Sequence, residues 1–117
     1  MANQDFEMRQ GATFRHVIRW KESGENVDLT DYTADMQVRI RPTSDEAVIT
    51  LDSYDAGGIT LGGAEGTITI VVDPEVTGAI EARNYMYDLE LTDDSGYVFR
   101  LLEGRITVTP EVTRLAP

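Results

Sequence analysis

The stretch "TADMQVRIR", Thr33 to Arg41, alternates apolar and polar side chains without interruption. Ala34, Met36, Val38 and Ile40 fall on one side, and Asp35, Gln37, Arg39 and Arg41 on the other. Only an extended backbone, whose successive side chains point to opposite faces, sorts residues this way. The same period of two recurs along the chain. "TFRHVIRWK" sets Phe14, His16, Ile18 and Trp20 against Arg15, Val17, Arg19 and Lys21. "NYMYDLELT" sets Tyr85, Tyr87, Leu89 and Leu91 against Met86, Asp88 and Glu90. Repeated half-buried strands divided by turns predict an all-β antiparallel sandwich of about seven to nine strands, in one domain spanning residues 1–117. The expected core is Phe14, Ile18, Trp20, Met36, Val38, Ile40, Ile68, Ile70, Tyr87, Leu89 and Leu91.

Two segments depart from plain alternation. In "YVFRLLEGRITVT" the apolar phase passes from Tyr97, Phe99 and Leu101 to Leu102, Ile106 and Val108. One extra residue near Leu101 to Gly104, a β-bulge, produces such a change. "DPEVTGAIEARN" opens with Asp73 and Pro74, a helix cap and first-turn pair. It predicts one short crossover helix between sheets within Pro74 to Ala82. The turns are read as "KESGEN", "RPTSDE" and "TDDSGY".

Half of the ten glycines lie in "GGITLGGAEGTITI", Gly57 to Ile70. A phosphate-binding loop needs a strand, a Gly-rich turn and then a helix, with Lys close behind. Here a second strand follows and no Lys comes after the segment. The segment therefore reads as a hairpin with "GGAE" at its tip and no ligand.

No residue constellation points to catalysis. His16 is the sole histidine and sits on an apolar face, so a Ser-His-Asp arrangement would need a hydroxyl and a carboxylate brought to it. There is no Cys, which excludes thiolate metal sites and disulfides and fits a reducing cytosol. "DSYDAGG" and "DDSG" lack the ligand spacing of a calcium loop, so Asp52, Asp55, Asp93 and Asp94 read as turn formers. No cofactor or metal is expected, and the chain is read as a non-enzyme. The formal net charge of −11 argues against nucleic acid and anionic membranes as partners. No basic, apolar leader opens the sequence, and no apolar run is long enough to span a bilayer.

The cations are distributed unevenly. Nine of the ten basic residues are Arg, and none lies between Pro42 and Ala82, a stretch with eight acids. Arg15, Arg19, Arg39 and Arg41 lie on outward strand faces. Clustered on adjacent strands they would form a docking face for an acidic surface, since Arg makes desolvated, bidentate contacts with carboxylates. Tyr32, Tyr54 and Tyr97 lie near strand ends, as exposed anchors for a protein contact. Coplanar on one surface, they would instead indicate a carbohydrate-binding or adhesin-type module. A pocket joining His16 to a hydroxyl and a carboxylate would indicate a small enzyme.

The run "FEMRQGATFRHVIRWKESGENVDLTDYTADMQVR" resembles the opening of small tailed-bacteriophage virion proteins. These begin with an F-x-x-x-(Q/R)-G-x-(T/D)-F hairpin, followed by "DLT-x-(Y/W)-T-A" and an Arg-bearing strand. "GGITLGG", "G-x-I-T-I", "Y-x-Y-D-L-E-L" and "G-x-V-x-R-L-L-E-G-x-(I/V)-T-V" extend the likeness over nearly the whole chain. It is similar to the N-terminal domain of the upper baseplate protein family (the BppU type), an immunoglobulin-like sandwich. That resemblance implies a virion structural protein, made in the host cytoplasm and present in multiple copies or as a homo-oligomer. Its partners would be other virion proteins of the baseplate, tail, neck or capsid. Because the sequence ends at Pro117 without a fibre segment, the expectation is an adaptor or accessory subunit.

Overall fold

The computed structural model describes residues 2–55 and 57–112. The strands among these residues are β1 (Ala2–Asn3), β2 (Phe6–Arg9), β3 (Phe14–Arg19), β4 (Lys21–Glu22), β5 (Glu25–Asn26), β6 (Thr33–Arg39), β7 (Ile49–Asp52), β8 (Ile59–Leu61), β9 (Thr67–Val72), β10 (Asn84–Thr92) and β11 (Val98–Thr109). One helical turn, α1 (Pro74–Thr77), separates β9 from β10. Two sheets face each other across a single apolar core. The large sheet runs β1-β11-β10-β6-β7, with β2 also on β11; the short sheet runs β3-β9-β8. A small β4–β5 hairpin completes the set. The architecture is an all-β, immunoglobulin-like sandwich with a short crossover helix.

Strand alternation accounts for the core. Met36 and Val38 of β6, Tyr85, Tyr87, Leu89 and Leu91 of β10, and Leu102, Ile106 and Val108 of β11 are buried from the large sheet. Ile59, Ile68, Ile70 and Val72 meet them from the short sheet. The phase change in β11 is a bulge. Leu89 pairs with Leu102 but Glu90 pairs with Arg100, which leaves Leu101 as the extra residue. The shift keeps both halves of a long strand facing the core.

Most of the ladder is antiparallel, but the N-terminal strands run parallel to β11. The chain crosses from β1 to β2 over Gly104, where any Cβ would strike the Gln4 carbonyl. Asp5 accepts the Arg105 N–H at 2.9 Å there, and the Tyr87 hydroxyl donates to Gln4 O at 2.6 Å. The Phe-to-Phe segment expected as a hairpin is not one. β2 pairs with β11 and β3 with β9, so the turn at Gly11 carries the chain between sheets.

The "GGAE" segment does close a hairpin between β8 and β9, through a 3-10 turn at Gly63–Glu65. Gly66 follows at φ 70°, and a Cβ there would lie 2.8 Å from Trp20 O and 2.9 Å from Val27 O. Its carbonyl accepts the Trp20 N–H and Gly63's accepts the Leu29 N–H. The tip is thus bolted to the segment that carries "DLT". The helix is shorter than the expected Pro74 to Ala82. Thr77 is buried and its hydroxyl donates to Ala12 O at 2.9 Å, fixing the turn against Gly11–Ala12, and Gly78 ends it.

Four expected core residues are corrected. Phe14, Ile18 and Trp20 are only half-buried, because β3 is the edge of its sheet and no strand among the described residues pairs on its open flank. Ile40 is 38% exposed, because it lies beyond the end of β6.

Leu89 is fully buried in the middle of β10. Leu89→Ala is expected to cost about 2–5 kcal/mol in urea unfolding, as truncated core leucines do. Gly66→Ala combines a left-handed φ with a backbone clash and is expected to cost more than about 1 kcal/mol. An unchanged midpoint for either variant would contradict the packing described.

Candidate functional site

The strand register decides which outward residues share a face. In the short sheet Arg15 pairs with Val71, Val17 with Thr69 and Arg19 with Thr67, while Thr60 of β8 lies beyond Thr69. The outer face of these three strands therefore presents two arginines, two valines and a row of threonines, and no carboxylate. Among the described residues neither Arg15 nor Arg19 forms an ion pair. Val17 between them is 43% exposed.

The large sheet has a different outer face. Arg100 lies 3.5 Å from Asp88, 3.9 Å from Glu90 and 3.9 Å from Glu103. Such exposed pairs add little stability, but they neutralise that arginine locally. Arg39 is also occupied. It donates to Gln37 Oε1 at 2.6 Å and Ser44 O at 2.8 Å. Arg41 follows the end of β6, in a turn closed by the Ser44 hydroxyl.

The expected four-arginine patch on adjacent strands is therefore corrected. Arg15 and Arg19 stand on the short sheet, Arg39 and Arg41 on or beside the large one, and the two outer faces look in opposite directions. Alternation reports that a side chain points outward, but not from which sheet. The short-sheet pair forms no ion pair among the described residues, and the alternation of "TITIV" in β9 sets threonines beside Val17 between them.

The tyrosines also divide. Tyr97 (62% exposed) packs on Phe99 at 4.6 Å between ring centres, and Phe99 contacts Trp20 at 5.3 Å and Tyr32 at 6.4 Å. Phe99, marked by the alternation of "YVFRLL", completes this cluster. Burial raises the Tyr32 phenol above its ordinary value, and the carboxylates of Asp93, Asp94, Glu22 and Asp28 add to the shift, so this end of the sandwich has an acidic rim. Tyr54 makes no ring contact with the cluster. Its hydroxyl donates to Asp35 at 2.5 Å on the outer face of the large sheet. The three tyrosines do not form one platform.

His16 lies edge-on to Phe6, 4.7 Å between ring centres. Among the described residues no hydroxyl or carboxylate is hydrogen-bonded to it, and it lines neither of two surface grooves, one beside β7 and α1, the other over Met86 and Arg100. Of the four aspartates read as turn formers, Asp52 and Asp93 close turns through their carboxylates. Asp52 Oδ1 accepts the N–H groups of Tyr54, Asp55 and Gly57. Asp93 Oδ1 accepts the hydroxyl and N–H of Ser95 and the N–H of Tyr97, bonds that hold its carboxyl below the usual range. Among the described residues no three His, Asp or Glu side chains are placed to hold a metal ion.

No family model matches the chain, and no curated protein matches it by sequence. Among solved structures it is similar to the extracellular domain of the voltage-gated sodium channel beta4 subunit. The identity is 11%, over 94% of this chain and 93% of that one, with a TM-score of 0.49. It is similar to the N-terminal domain of phage TP901-1 ORF48 at 12% identity, over 93% of this chain and 99% of that one, with a TM-score of 0.49. CopC from Methylosinus trichosporium OB3b gives 11% identity, 93% and 89% coverage, and a TM-score of 0.47.

The hydrogen bond to Asp35 pushes the Tyr54 phenol up to about 12. Its folded pKa thus exceeds its unfolded one, near ~10. The stabilisation from this proton is complete below pH ~10 and is lost as pH rises through the folded value. Asp35→Asn is expected to return Tyr54 towards ~10 in a phenolate absorbance titration, identified by its loss in Tyr54→Phe. An unmoved titration would show that the hydrogen bond does not form.

Proposed function

We propose that this chain is a non-enzymatic virion structural protein, an adaptor or accessory subunit that docks on the baseplate, tail, neck or capsid of a tailed bacteriophage. One observation carries the docking part. A protein of net charge −11 presents, on the outer face of its short sheet, two arginines that form no ion pair among the described residues, and the strands around them bring no carboxylate to that face. Two such cations spaced along a threonine-rich face suit a partner that supplies the negative charge. Electrostatic complementarity of this kind orients partners and rejects wrong ones more than it adds raw affinity. The virion part rests on the likeness of residue pattern to the upper baseplate proteins, which runs from "FEMRQG" to "GRITV".

The division of the tyrosines removes support from a carbohydrate platform built on Tyr32, Tyr54 and Tyr97. The position of His16 against Phe6, without a hydroxyl or carboxylate bonded to it among the described residues, gives no support to hydrolytic chemistry. The site of action in this reading is the assembled particle, reached after synthesis in the host cytoplasm.

Quantitative mass spectrometry of density-purified particles tests the reading. Peptides of this chain are expected at a fixed ratio to the major capsid protein, retained after a high-salt wash of free proteins. Abundant chain in the lysate but none in the particles would overturn the assignment.

A further inference from the structure

The short sheet has a free edge with a definite chemical pattern. Trp20 donates its N–H to Gly66 O at 2.8 Å, in register with the β3–β9 ladder. In an antiparallel ladder, residues of the same parity share a partner strand. The main-chain groups of His16 and Ile18 therefore face β9. Those of Arg15, Val17 and Arg19 face away from it. The far side of β9 agrees, since Val71 N–H donates to Gly58 O and Thr67 O accepts from Gly62, so odd residues of β9 serve β8 and even ones serve β3. Among the described residues, no strand pairs with β3 on its other side.

Burial marks the same edge. The inward residues of β9 are all buried, whereas Phe14, His16 and Ile18 of β3 are each only half-buried. The Phe6 ring packs on Phe14 and His16, but among the described residues no strand lies beside them on the open flank. An additional strand would cover that flank and accept and donate the free backbone bonds at once.

We propose that the edge of β3 is a strand-addition site for an extended segment of a partner protein with the pattern acid-x-apolar-x-acid. This deepens the docking reading above and rests on it. The residues opposite Arg15 and Arg19 would be carboxylates, and the one opposite Val17 would be small and apolar. Opposite charges directly across a ladder stabilise it, and like charges oppose it. The two alternate residues of the segment would point inward and be apolar, over the half-covered His16 and Ile18. Strand addition takes its affinity from main-chain bonds and its selectivity from such side-chain positions. A second copy of β3 is the wrong occupant. Antiparallel pairing about Val17 would set Arg15 opposite Arg19 of the second copy, and the reverse, which blocks edge-to-edge self-association.

The probe is a capped peptide, Thr-Glu-Val-Val-Val-Glu-Thr, titrated into the whole 15N-labelled chain. In the free protein the amides of Arg15, Val17 and Arg19 are expected to exchange rapidly, and those of His16 and Ile18 slowly. Saturating peptide is expected to slow exchange at the first three at least tenfold. Arg15→Glu with Arg19→Glu is expected to weaken this peptide at least tenfold and to favour Thr-Lys-Val-Val-Val-Lys-Thr by a similar factor. Val17→Pro removes only an edge-facing donor and is expected to abolish binding of either peptide. If that variant fails to fold, the charge swap decides. Edge amides already protected in the free protein, shifts that map elsewhere, or equal binding of both peptides by either chain would overturn the proposal. These results concern the edge alone, because the particle measurement above is independent of them.

Discussion

Strand β10 is paired on both sides, with β6 and β11, and all four of its inward residues are buried. The other elements take their positions from it. Its register to β6 sets Leu89 opposite Met36 and Tyr87 opposite Val38. Its register to β11 needs the bulge at Leu101, without which one half of β11 would turn its apolar residues to water. The hydroxyl of Tyr87 then reaches Gln4 and holds the N-terminal strand where it crosses Gly104. Burial raises that phenol, as expected for a hydroxyl held within the core margin.

The two sheets differ in size, and this mismatch gives the surface its character. On the large sheet Arg100 lies among three carboxylates, and Arg39 is engaged by neutral oxygens. The short sheet has too few strands to cover both flanks. β8 is joined to the large sheet by a bridge from Asp52 to Gly58, so that side is tied shut. The opposite side ends at β3, with half-buried apolar residues inside and, outside, two arginines in no ion pair among the described residues. Core, edge and charge all leave something unsatisfied at the same strand.

Much of this was legible in the residues. Alternation identified the inward and outward sides of β3, β6 and β10, and the phase change located the bulge. "DP" placed the start of the crossover helix, and the glycines of Gly57 to Ile70 marked a hairpin. Neighbourhood was not legible. Periodicity assigns a face but not a partner, so Phe14, Ile18 and Trp20 read like core residues although their strand is an edge. For the same reason Arg15 and Arg39 read like members of one patch although they stand on opposite faces. Ile40 follows the alternation of β6 past the point where pairing ends. The free edge itself depends on which strands lie beside β3, information spread over residues some fifty positions away in β9.

The central claim is that this domain docks through the open edge and outer face of its short sheet. A cryo-EM map of the assembled particle, at a resolution that separates strands, tests it most directly. The account predicts a further strand continuous with β3, contributed by another protein, with carboxylates against Arg15 and Arg19. A map in which β3 faces solvent, and the contacts run through the Arg100 face or the Trp20–Phe99 end instead, would contradict it.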